Sequence, residues 1–360
     1  MADIISIATS VPDHCHKQSD IFHFMKDMYG LNEVDSRKLK FLYDHCGIES
    51  RYSAVPDYGL NAIERNFIPL DKNAGFPLLE QRMEIYDRDA VIISKKAIDK
   101  CLEGFITPKQ VTHLITVSCT GMSAPGLDLQ LMSELGLAPN IFRTSVNFMG
   151  CYAAIHALKL GKMICDSEPN ANVVIVATEL CTLHFQKEFS EDTAASSLLF
   201  ADGSAAVLIS NCLQSPASLS LRGFYSHVAQ KGKADMAWQL SSKGFLMTLS
   251  GYIPQLIQED ITALVEAAAA HNQLTLTDIT HWCIHPGGKR ILDMIQKQLQ
   301  LPPEALIYSR DILSRYGNMS SPTVLFVLKE IMEKREAAPA RVLGMAFGPG
   351  LTMETFIAES

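Results

Sequence analysis

The chain has 360 residues, of which 48% are hydrophobic and 19% are charged. This composition predicts a folded globular protein with a large core and excludes an intrinsically disordered chain. The net charge of −8 at pH 7, without a long basic run, argues against a general nucleic-acid-binding protein. No apolar run approaches the roughly 18–20 residues that a membrane-spanning helix needs, so we expect no membrane insertion.

Nine cysteines are scattered along the chain, without a CxxC pair or a cluster of cysteine and histidine at zinc-binding spacing. The first residues contain no basic segment followed by an apolar stretch, so no signal peptide is expected. We therefore expect reduced thiols, a cytoplasmic location and no structural metal site.

Apolar runs and helical patterns alternate along the first half of the chain. They predict strands at 4–8, 113–118 and 172–177, helices at 19–44, 84–103 and 127–135, a loop at 53–77, and two apolar runs around Asp202 within 197–209. Residues 37–40 contain three cations. Their interpretation stays open between a solvated helix face and a binding site for an anionic ligand.

A segment rich in Ser, Pro, Gln and Asn at 211–218 predicts a boundary between two units, 1–215 and 216–360. The second unit is predicted to contain helices at 251–271, 289–299 and 323–335 and strands at 281–285, 341–347 and 351–358. Because strands alternate with long helices in both units, we predict an α/β protein whose sheets are substantially parallel and buried between helices.

One cysteine, Cys151, lies between an apolar run that ends at Gly150 and a small-residue segment that favours a helix. A thiol at a helix N-terminus faces the positive end of the helix dipole and unpaired N–H groups, and both lower its pKa. Glycine before it allows a sharp turn and the close approach of a substrate. For this residue alone, a small buried hydrophobe is the alternative.

Two further polar residues, His285 and Asn318, lie at similar breaks between an apolar run and a helix. An imidazolium can keep a neighbouring cysteine ionised as a thiolate. A histidine and an asparagine can together donate hydrogen bonds to a carbonyl oxygen that gains negative charge during a reaction. This interpretation requires that the fold bring the three side chains together, and for His285 alone a core histidine is the alternative.

Four motifs occur in the order and spacing of the type III polyketide synthases, the chalcone and stilbene synthase-like family, which the chain therefore resembles. They are Gly150-Cys151, His285-Pro286-Gly287-Gly288, the string from Tyr316 to Ser321, and the string from Phe347 to Thr352. The similarity extends over nearly the whole chain and includes the loop at Pro125-Gly126 and the turn at 200–203.

The resemblance implies a thiolase-like αβαβα layered fold, built from two pseudo-repeated halves, and a homodimer. It implies that Cys151, His285 and Asn318 form a catalytic triad. Cys151 takes an acyl group from a starter coenzyme A thioester, while His285 and Asn318 hold the thioester carbonyl of malonyl-CoA as carbon dioxide leaves. The resulting enolate attacks the Cys-bound acyl group in a Claisen condensation, which cyclisation or lactonisation follows. Coenzyme A thioesters are the substrates, and no metal or redox cofactor is required.

The resemblance also implies a set of substrate-binding residues. Phe200 aligns with an aromatic gatekeeper between the coenzyme A tunnel and the cavity, with a core aromatic as the alternative. Lys38 aligns with a cation that contacts coenzyme A. The remaining members of the set are Cys119, His184, Trp238, Phe245, Met247, Ser320, Phe347, Gly348 and Pro349.

Several positions depart from the pattern of the plant enzymes, and they change the size or the charge of the side chain. Cys119 and His184 stand for threonines, Trp238 for a glycine, Phe245 for a leucine, Met247 for a phenylalanine, Ala124 for the methionine that reaches across the plant dimer, and Phe41 and His45 for two coenzyme A-contacting cations. We therefore expect a microbial enzyme whose cavity accepts a different starter, such as an aliphatic acyl chain that runs into a side tunnel, rather than a flavonoid synthase.

Three alternatives share part of this pattern. Ketoacyl-ACP synthase III has the same fold and a Cys/His/Asn site, but it would take malonyl groups from acyl carrier protein and stop after one condensation. A papain-like hydrolase also uses these three residue types, but its cysteine lies near the mature N-terminus. A catalytically silent thiolase-fold partner subunit would not need all three triad residues.

Overall fold

The computed structural model describes residues 1–60, 62–69, 75–233, 235–336 and 339–360. Over these residues the chain forms thirteen strands and ten α-helices, besides short 3-10 turns. The strands are β1 (Asp3–Ser10), β2 (His14–Lys17), β3 (Ser50–Ser53), β4 (His113–Ser118), β5 (Phe142–Asn147), β6 (Asn172–Leu180), β7 (Asp202–Ser210), β8 (Leu219–Val228), β9 (Met236–Ser241), β10 (Gly244–Leu249), β11 (His281–Ile284), β12 (Arg341–Gly348) and β13 (Thr352–Glu359). The helices are α1 (Gln18–Tyr29), α2 (Glu33–His45), α3 (Leu79–Leu102), α4 (Leu127–Leu135), α5 (Ala153–Ser167), α6 (Glu191–Leu199), α7 (Ile253–His271), α8 (Lys289–Gln298), α9 (Ile307–Tyr316) and α10 (Thr323–Lys334).

Nine of the strands form one mixed sheet in the order β11-β12-β13-β8-β1-β7-β6-β4-β5. Strands β1 and β8 meet in two residue pairs, Asp3–Ser220 and Ile4–Leu219. This short seam joins the five strands of the first half to the four strands of the second half. Two separate antiparallel pairs, β2–β3 and β9–β10, lie outside this sheet.

The helices lie in three layers around the two parts of the sheet. Helices α5 and α10 form the central layer: α5 packs on β4, β6 and β7 and also on β13, while α10 packs on β11 and β12 and also on β1 and β7. Their apolar side chains and the inner faces of both sheet parts form one continuous core. Helix α3 covers the outer face of the first half, and α7, flanked by α8, covers that of the second. The layers alternate in the predicted αβαβα order.

The prediction of substantially parallel sheets is wrong. The pairs β4–β5, β4–β6 and β11–β12 are parallel, and the other five pairs of the large sheet are antiparallel. Every residue of β6 and of β7 is buried, because helices cover both faces of these strands. Burial on both faces removes the alternation that marks an antiparallel strand, so the apolar pattern carries no information on strand direction.

The predicted helix at 19–44 is two helices. Gly30 adopts a left-handed conformation (φ 59°) that ends α1, and Asn32 caps α2 by accepting a hydrogen bond from the Asp35 N–H at 2.9 Å. The predicted loop at 53–77 contains 3-10 turns at Pro56–Gly59 and Ala62–Glu64, and its positions 61 and 70–74 lie outside the described residues. In the part of the chain that the structure describes, no helix combines the length and the apolar character needed to cross a membrane.

Candidate active site

Cys151 lies in the turn between β5 and α5. The chain turns at Gly150, whose φ of +87° favours glycine, and the Gly150 carbonyl accepts a hydrogen bond from the Ala153 N–H in the first turn of α5. A Cβ atom on Gly150 would lie 2.3 Å from Cδ of Pro349, so only glycine allows this close packing. The strand–turn–helix placement of Cys151 agrees with the prediction.

His285 and Asn318 lie at the ends of two elements of the second half. His285 directly follows β11 and continues its pairing, because its N–H donates to the Met345 carbonyl at 2.8 Å. Asn318 follows α9, and its main chain pairs with the first half. Its N–H donates to the Leu199 carbonyl and its carbonyl accepts from the Ala201 N–H, both at 2.9 Å.

A series of short contacts connects the three predicted triad residues. The Cys151 Sγ lies 3.5 Å from Ser320 Oγ, and the Ser320 N–H donates to Asn318 Oδ1 at 2.8 Å. The Asn318 amide then donates to the Gly287 carbonyl at 3.3 Å. Gly287 packs against the ring of His285, since a Cβ atom at this glycine would lie 3.7 Å from His285 Nε2. The structure therefore brings these residues together, and all five line the same cavity.

Burial determines the protonation of the two titratable members. It raises the pKa of Cys151 to about 12, although hydrogen bonding with Ser320 and Asn318 opposes this shift, and it lowers the pKa of His285 to about 3. Both groups are therefore neutral near pH 7 in this structure. Burial favours this neutral pair over the thiolate–imidazolium pair that the sequence predicted. Neither ring nitrogen of His285 has a hydrogen-bond partner within the described ranges. A thiolate–imidazolium pair forms only if the thiol proton of Cys151 passes to the imidazole of His285, because the two charges then form together and attract each other.

The cavity that these residues line has a volume of about 1530 Å³. Typical small-molecule sites measure roughly 300–1,000 Å³, so this one has room for more than a single small ligand. Its lining includes all but one of the predicted substrate-binding residues: Lys38, Cys119, His184, Phe200, Trp238, Phe245, Met247, Ser320, Phe347 and Pro349. Gly348 is the exception, because it packs behind the turn that carries Cys151, where a Cβ atom would lie 2.6 Å from the Tyr152 ring.

Three aromatic rings, His184, Trp238 and Phe245, form what we call the aromatic wall of the cavity. His184 stacks on Phe245 with ring centroids 4.3 Å apart, and Trp238 stands edge-on to both rings. The Trp238 indole N–H donates to the Cys119 carbonyl at 2.6 Å. His184 bonds the Thr120 carbonyl through Nε2 and accepts the Phe245 N–H at Nδ1. Burial lowers the pKa of His184 to about 3, so this ring is neutral and its position is held by hydrogen bonds.

Cys119 contacts the turn that carries Cys151 rather than presenting a second reactive thiolate. Its sulfur accepts a hydrogen bond from the Gly150 N–H at 3.0 Å, and burial raises the pKa of its thiol well above the ordinary value.

The sequence analysis missed Glu179, which is completely buried behind the site. Its carboxylate accepts hydrogen bonds from the Cys119 N–H at 2.8 Å, from the Thr120 hydroxyl at 2.8 Å and from the Ser321 hydroxyl at 2.7 Å. It therefore holds the 119–120 loop to the segment that carries Asn318. Burial raises its pKa to about 7. The signal was present in the sequence, because Glu179 is an acidic residue within an otherwise apolar strand.

A second missed residue, Arg51, holds the segment that contains Phe200. The buried guanidinium donates to the Phe200 carbonyl and, at 2.9 Å, to Gln18 Oε1. The Gln18 amide in turn donates to the Leu198 carbonyl at 2.9 Å. No local pattern signals these contacts, because Phe200 is 149 positions away from Arg51 in the sequence.

The chain matches two family models. Residues 1–212 match the N-terminal domain of the chalcone and stilbene synthases, and residues 225–360 match their C-terminal domain. The chain belongs to the chalcone and stilbene synthase family, the type III polyketide synthases. The prediction of an acyltransferase of this kind is confirmed, and the ketoacyl-ACP synthase III alternative is not favoured.

The relatives include bacterial and algal enzymes. The alpha-pyrone synthesis polyketide synthase-like protein Pks18 of Mycobacterium tuberculosis is 29% identical over 100% of this chain and 91% of its own length. The crystal structure of PKS-I from the brown alga Ectocarpus siliculosus is 26% identical and superposes with a TM-score of 0.91, covering 99% of this chain and 98% of that one. The 1,3,6,8-tetrahydroxynaphthalene synthase of Streptomyces coelicolor is 25% identical with a TM-score of 0.86, covering 99% and 98%. These relatives confirm the thiolase-like fold.

Enzymes of this family act on acyl-CoA and malonyl-CoA thioesters and generally need no further cofactor. Among the residues that the structure describes, no group of three or more His, Cys, Asp or Glu side chains is arranged to hold a metal ion.

Replacing Arg51 with methionine tests its contact with the Phe200 segment. The substitution Arg51→Met keeps much of the buried volume but leaves the Phe200 carbonyl without its donor, at a cost of about 1–3 kcal/mol. We expect a folded protein that forms polyketide at least about tenfold more slowly, since roughly 1.4 kcal/mol at the transition state corresponds to a factor of ten. Circular dichroism and steady-state product formation measure the two effects.

The matched control is Arg65→Met, which removes a donor to the Leu60 carbonyl and lies outside the cavity lining. Equal losses of activity in the two variants, or full activity of Arg51→Met, would contradict the role given to Arg51.

Proposed function

We propose that Cys151 is the nucleophile of this polyketide synthase and that His285 and Asn318 stabilise the enolate. The observation that carries the proposal is the convergence of these three side chains on one cavity through Ser320 and Gly287. A buried histidine whose two ring nitrogens have no hydrogen-bond partner among the described residues also supports it, because buried polar groups without partners are rare and often mark functional sites.

The loading step exchanges one thioester for another. The proton of the Cys151 thiol passes to His285, the sulfur attacks the acyl carbon of the starter thioester, and the coenzyme A thiolate leaves and takes up that proton. Cys151 then carries the acyl group and His285 is again neutral. Burial favours neutral groups. The acylated state, in which His285 is neutral, is therefore favoured over the free thiolate–imidazolium pair.

The extension step breaks one carbon–carbon bond and forms another. His285 and Asn318 donate hydrogen bonds to the thioester carbonyl of malonyl-CoA, so that the electrons left behind by departing carbon dioxide are held as an enolate. The enolate carbon then attacks the acyl carbon on Cys151, and the Cys151 sulfur leaves. In this mechanism, coenzyme A thioesters are the only small molecules that the site requires. Repeated extension is followed by cyclisation or lactonisation.

The proposed starter is an aliphatic acyl chain rather than the aromatic starter of a flavonoid synthase. The aromatic wall belongs to the cavity lining, and Trp238 aligns with a position that is glycine in the plant enzymes, so its ring takes up space that they leave open. Elsewhere the lining contains aliphatic side chains of α1 and α6, namely Ile21, Met25 and Leu198. The name of the Mycobacterium relative, which refers to alpha-pyrone synthesis, is compatible with such a product class.

We also propose the division of the chain into units 1–215 and 216–360. It is supported by residues 211–218, which form no helix or strand, and by the two-pair seam between β1 and β8. Each unit then supplies part of the triad.

A cytoplasmic location is proposed because all nine cysteines are free.

A homodimer is proposed through β5, which forms one edge of the large sheet. Most of this strand is exposed, and Phe142 retains 65% of its accessible surface. Two other apolar residues, Met122 and Met163, are also more than half exposed. Exposed edge strands are usually covered, and pairing with a second copy across a twofold axis would cover this one.

Phe142→Lys tests the dimer. A lysine at this edge introduces charge where the second copy would pack, so we expect a measurable shift from dimer to monomer in sedimentation velocity at micromolar concentration. Ile307→Lys, at an exposed apolar position on α9, is the control and should leave the mass unchanged. A wild-type chain that sediments as a monomer would exclude the dimer.

Trp238→Gly tests the aromatic wall. The substitution removes one of the three rings, so we expect longer polyketide products or acceptance of larger starters, read by mass spectrometry after incubation with malonyl-CoA and a panel of acyl-CoA starters. Trp238→Phe keeps a ring and loses the N–H, and it should keep the product length of the wild type. An unchanged chain length and starter range in Trp238→Gly would show that the wall does not limit the substrate.

Alanine substitutions separate the roles within the triad. Cys151→Ala should abolish polyketide formation while malonyl-CoA still loses carbon dioxide. In contrast, His285→Ala and Asn318→Ala should each slow release of carbon dioxide by about 100-fold or more, since removal of one oxyanion donor typically costs roughly 10²–10³ in rate. Labelled carbon dioxide and products are measured in the same reactions. Rapid decarboxylation by the double variant would disprove the assignment.

A further inference from the structure

Part of the cavity lining extends from the end of β6 to β2 and is not used by the proposed chemistry of the triad. Cys181 and Thr182 directly follow β6, and the Thr182 carbonyl accepts a hydrogen bond from the Tyr58 hydroxyl at 2.9 Å. The Tyr58 ring lies edge-on to the ring of His16 in β2, with the centroids 5.9 Å apart. All four residues line the cavity that Cys151 also lines, so they connect the acyl-carrying position to the inner side of β2.

The helices beside this part of the cavity contribute apolar side chains. Ile21 and Met25 of α1 and Leu198 of α6 are buried and belong to the lining. Helix α1 packs against the turn at Pro56–Gly59 that carries Tyr58. We call this part the His16 branch, formed by His16, Ile21, Met25, Tyr58 and Leu198. Most of its surface is apolar and therefore suits the aliphatic acyl chain proposed above.

His16 is the polar member of this branch that has an unused hydrogen-bonding atom. It retains 7% of its accessible surface, and its Nε2 has no hydrogen-bond partner among the residues that the structure describes. Gly59 packs closely against the ring, since a Cβ atom at this glycine would lie 2.9 Å from His16 Nδ1. A buried imidazole nitrogen without a partner destabilises the fold and is rare in native proteins. Its presence in a cavity lining therefore points to a ligand that supplies the missing bond.

The ring of His16 is neutral near pH 7. Burial lowers its pKa, the main chain of Val55 opposes this shift, and the charges of His14 and Arg51 add to it. A neutral imidazole has one donor and one acceptor nitrogen, and which of them is Nε2 depends on the tautomer. A hydroxyl group satisfies either tautomer, because it both donates and accepts. A methyl group satisfies neither, and a carboxylate would bring a charge into a largely apolar branch.

We propose that the His16 branch binds a starter acyl chain that carries a hydroxyl group on its terminal carbon, and that this hydroxyl hydrogen-bonds to His16 Nε2. The inference rests on the proposed use of an aliphatic starter at this site and specifies its chemical class. A site that bonds a substrate hydroxyl rejects the analogue without it, because the site's own polar group is then left unpaired. His16 therefore determines specificity at the end of the chain remote from Cys151.

The test compares acyl-CoA starters in matched pairs, with and without the terminal hydroxyl group, over a series of chain lengths. At the chain length that reaches His16, we expect kcat/KM of the wild type to be at least about tenfold higher for the hydroxylated starter. His16→Phe keeps a ring and loses both nitrogens, so it should remove this preference while kcat/KM for the unsubstituted starter stays within about twofold. The control is His14→Phe, at an exposed histidine of the same strand outside the cavity lining, and it should match the wild type.

Two further measurements keep the proposal testable if a variant fails to fold or turnover fails. His16→Gln retains a donor and an acceptor and should keep part of the preference. Calorimetry with free terminally hydroxylated fatty acids and their unsubstituted counterparts measures binding alone. At least about tenfold tighter binding of the hydroxylated acid supports the His16 branch even if no polyketide forms, in which case the proposed function fails separately.

Three results would overturn the assignment of the terminal hydroxyl to His16. They are equal kcat/KM for both members of every pair, a preference for the hydroxylated starter that persists unchanged in His16→Phe, and a preference for a terminal carboxylate over the hydroxyl.

Discussion

The active site depends on one main-chain bridge between the two halves of the chain. The peptide groups of Leu199 and Ala201 pair with those of Asn318, so two hydrogen bonds hold the segment that presents Phe200 to the residue that presents the carboxamide. Arg51 attaches this unit to β3 from one side, and Ser321, through Glu179, attaches it to the 119–120 loop from the other. Because each bond runs between distant segments, the site exists only when both halves have packed on the central helices α5 and α10.

The same packing explains why the site holds neutral groups. Placing Cys151 and His285 in a buried cavity favours the thiol and the neutral imidazole, and Glu179 behind them adds a further cost to a thiolate when it is ionised. A neutral buried thiol is oxidised slowly, because oxidation needs the thiolate. In the proposed mechanism it becomes reactive when a thioester occupies the cavity and the charges of the transition state form next to donors that are already in place.

The sequence predicted the features that depend on short stretches of chain. The turn at Gly150, the end of β11 at His285 and the helix after Asn318 follow from local changes in apolar periodicity and from glycine positions, and the structure has each of them. Strand direction was wrong because burial on both faces hides it. The hairpin of β9 and β10 was missed, although the sequence 245–249, Phe-Leu-Met-Thr-Leu, is an apolar run that would have signalled β10. Arg51 and Gln18 were missed because hydrogen bonds to distant carbonyls leave no periodic trace.

The aromatic wall of the cavity and the position of Cys151 are coupled through residue 119. Its carbonyl accepts the Trp238 indole N–H, so it holds the aromatic wall, while its sulfur accepts the Gly150 N–H, so it also holds the turn before Cys151. A threonine at position 119 would keep the main-chain carbonyl that accepts the indole N–H, but its hydroxyl has a shorter reach than the sulfur, so the contact with the Gly150 N–H would have to rearrange. The main chain at position 119 therefore holds the aromatic wall, and the side chain holds the turn before Cys151. A substitution of Cys119 that aims to change the substrate range would also disturb the turn that presents Cys151, the proposed nucleophile.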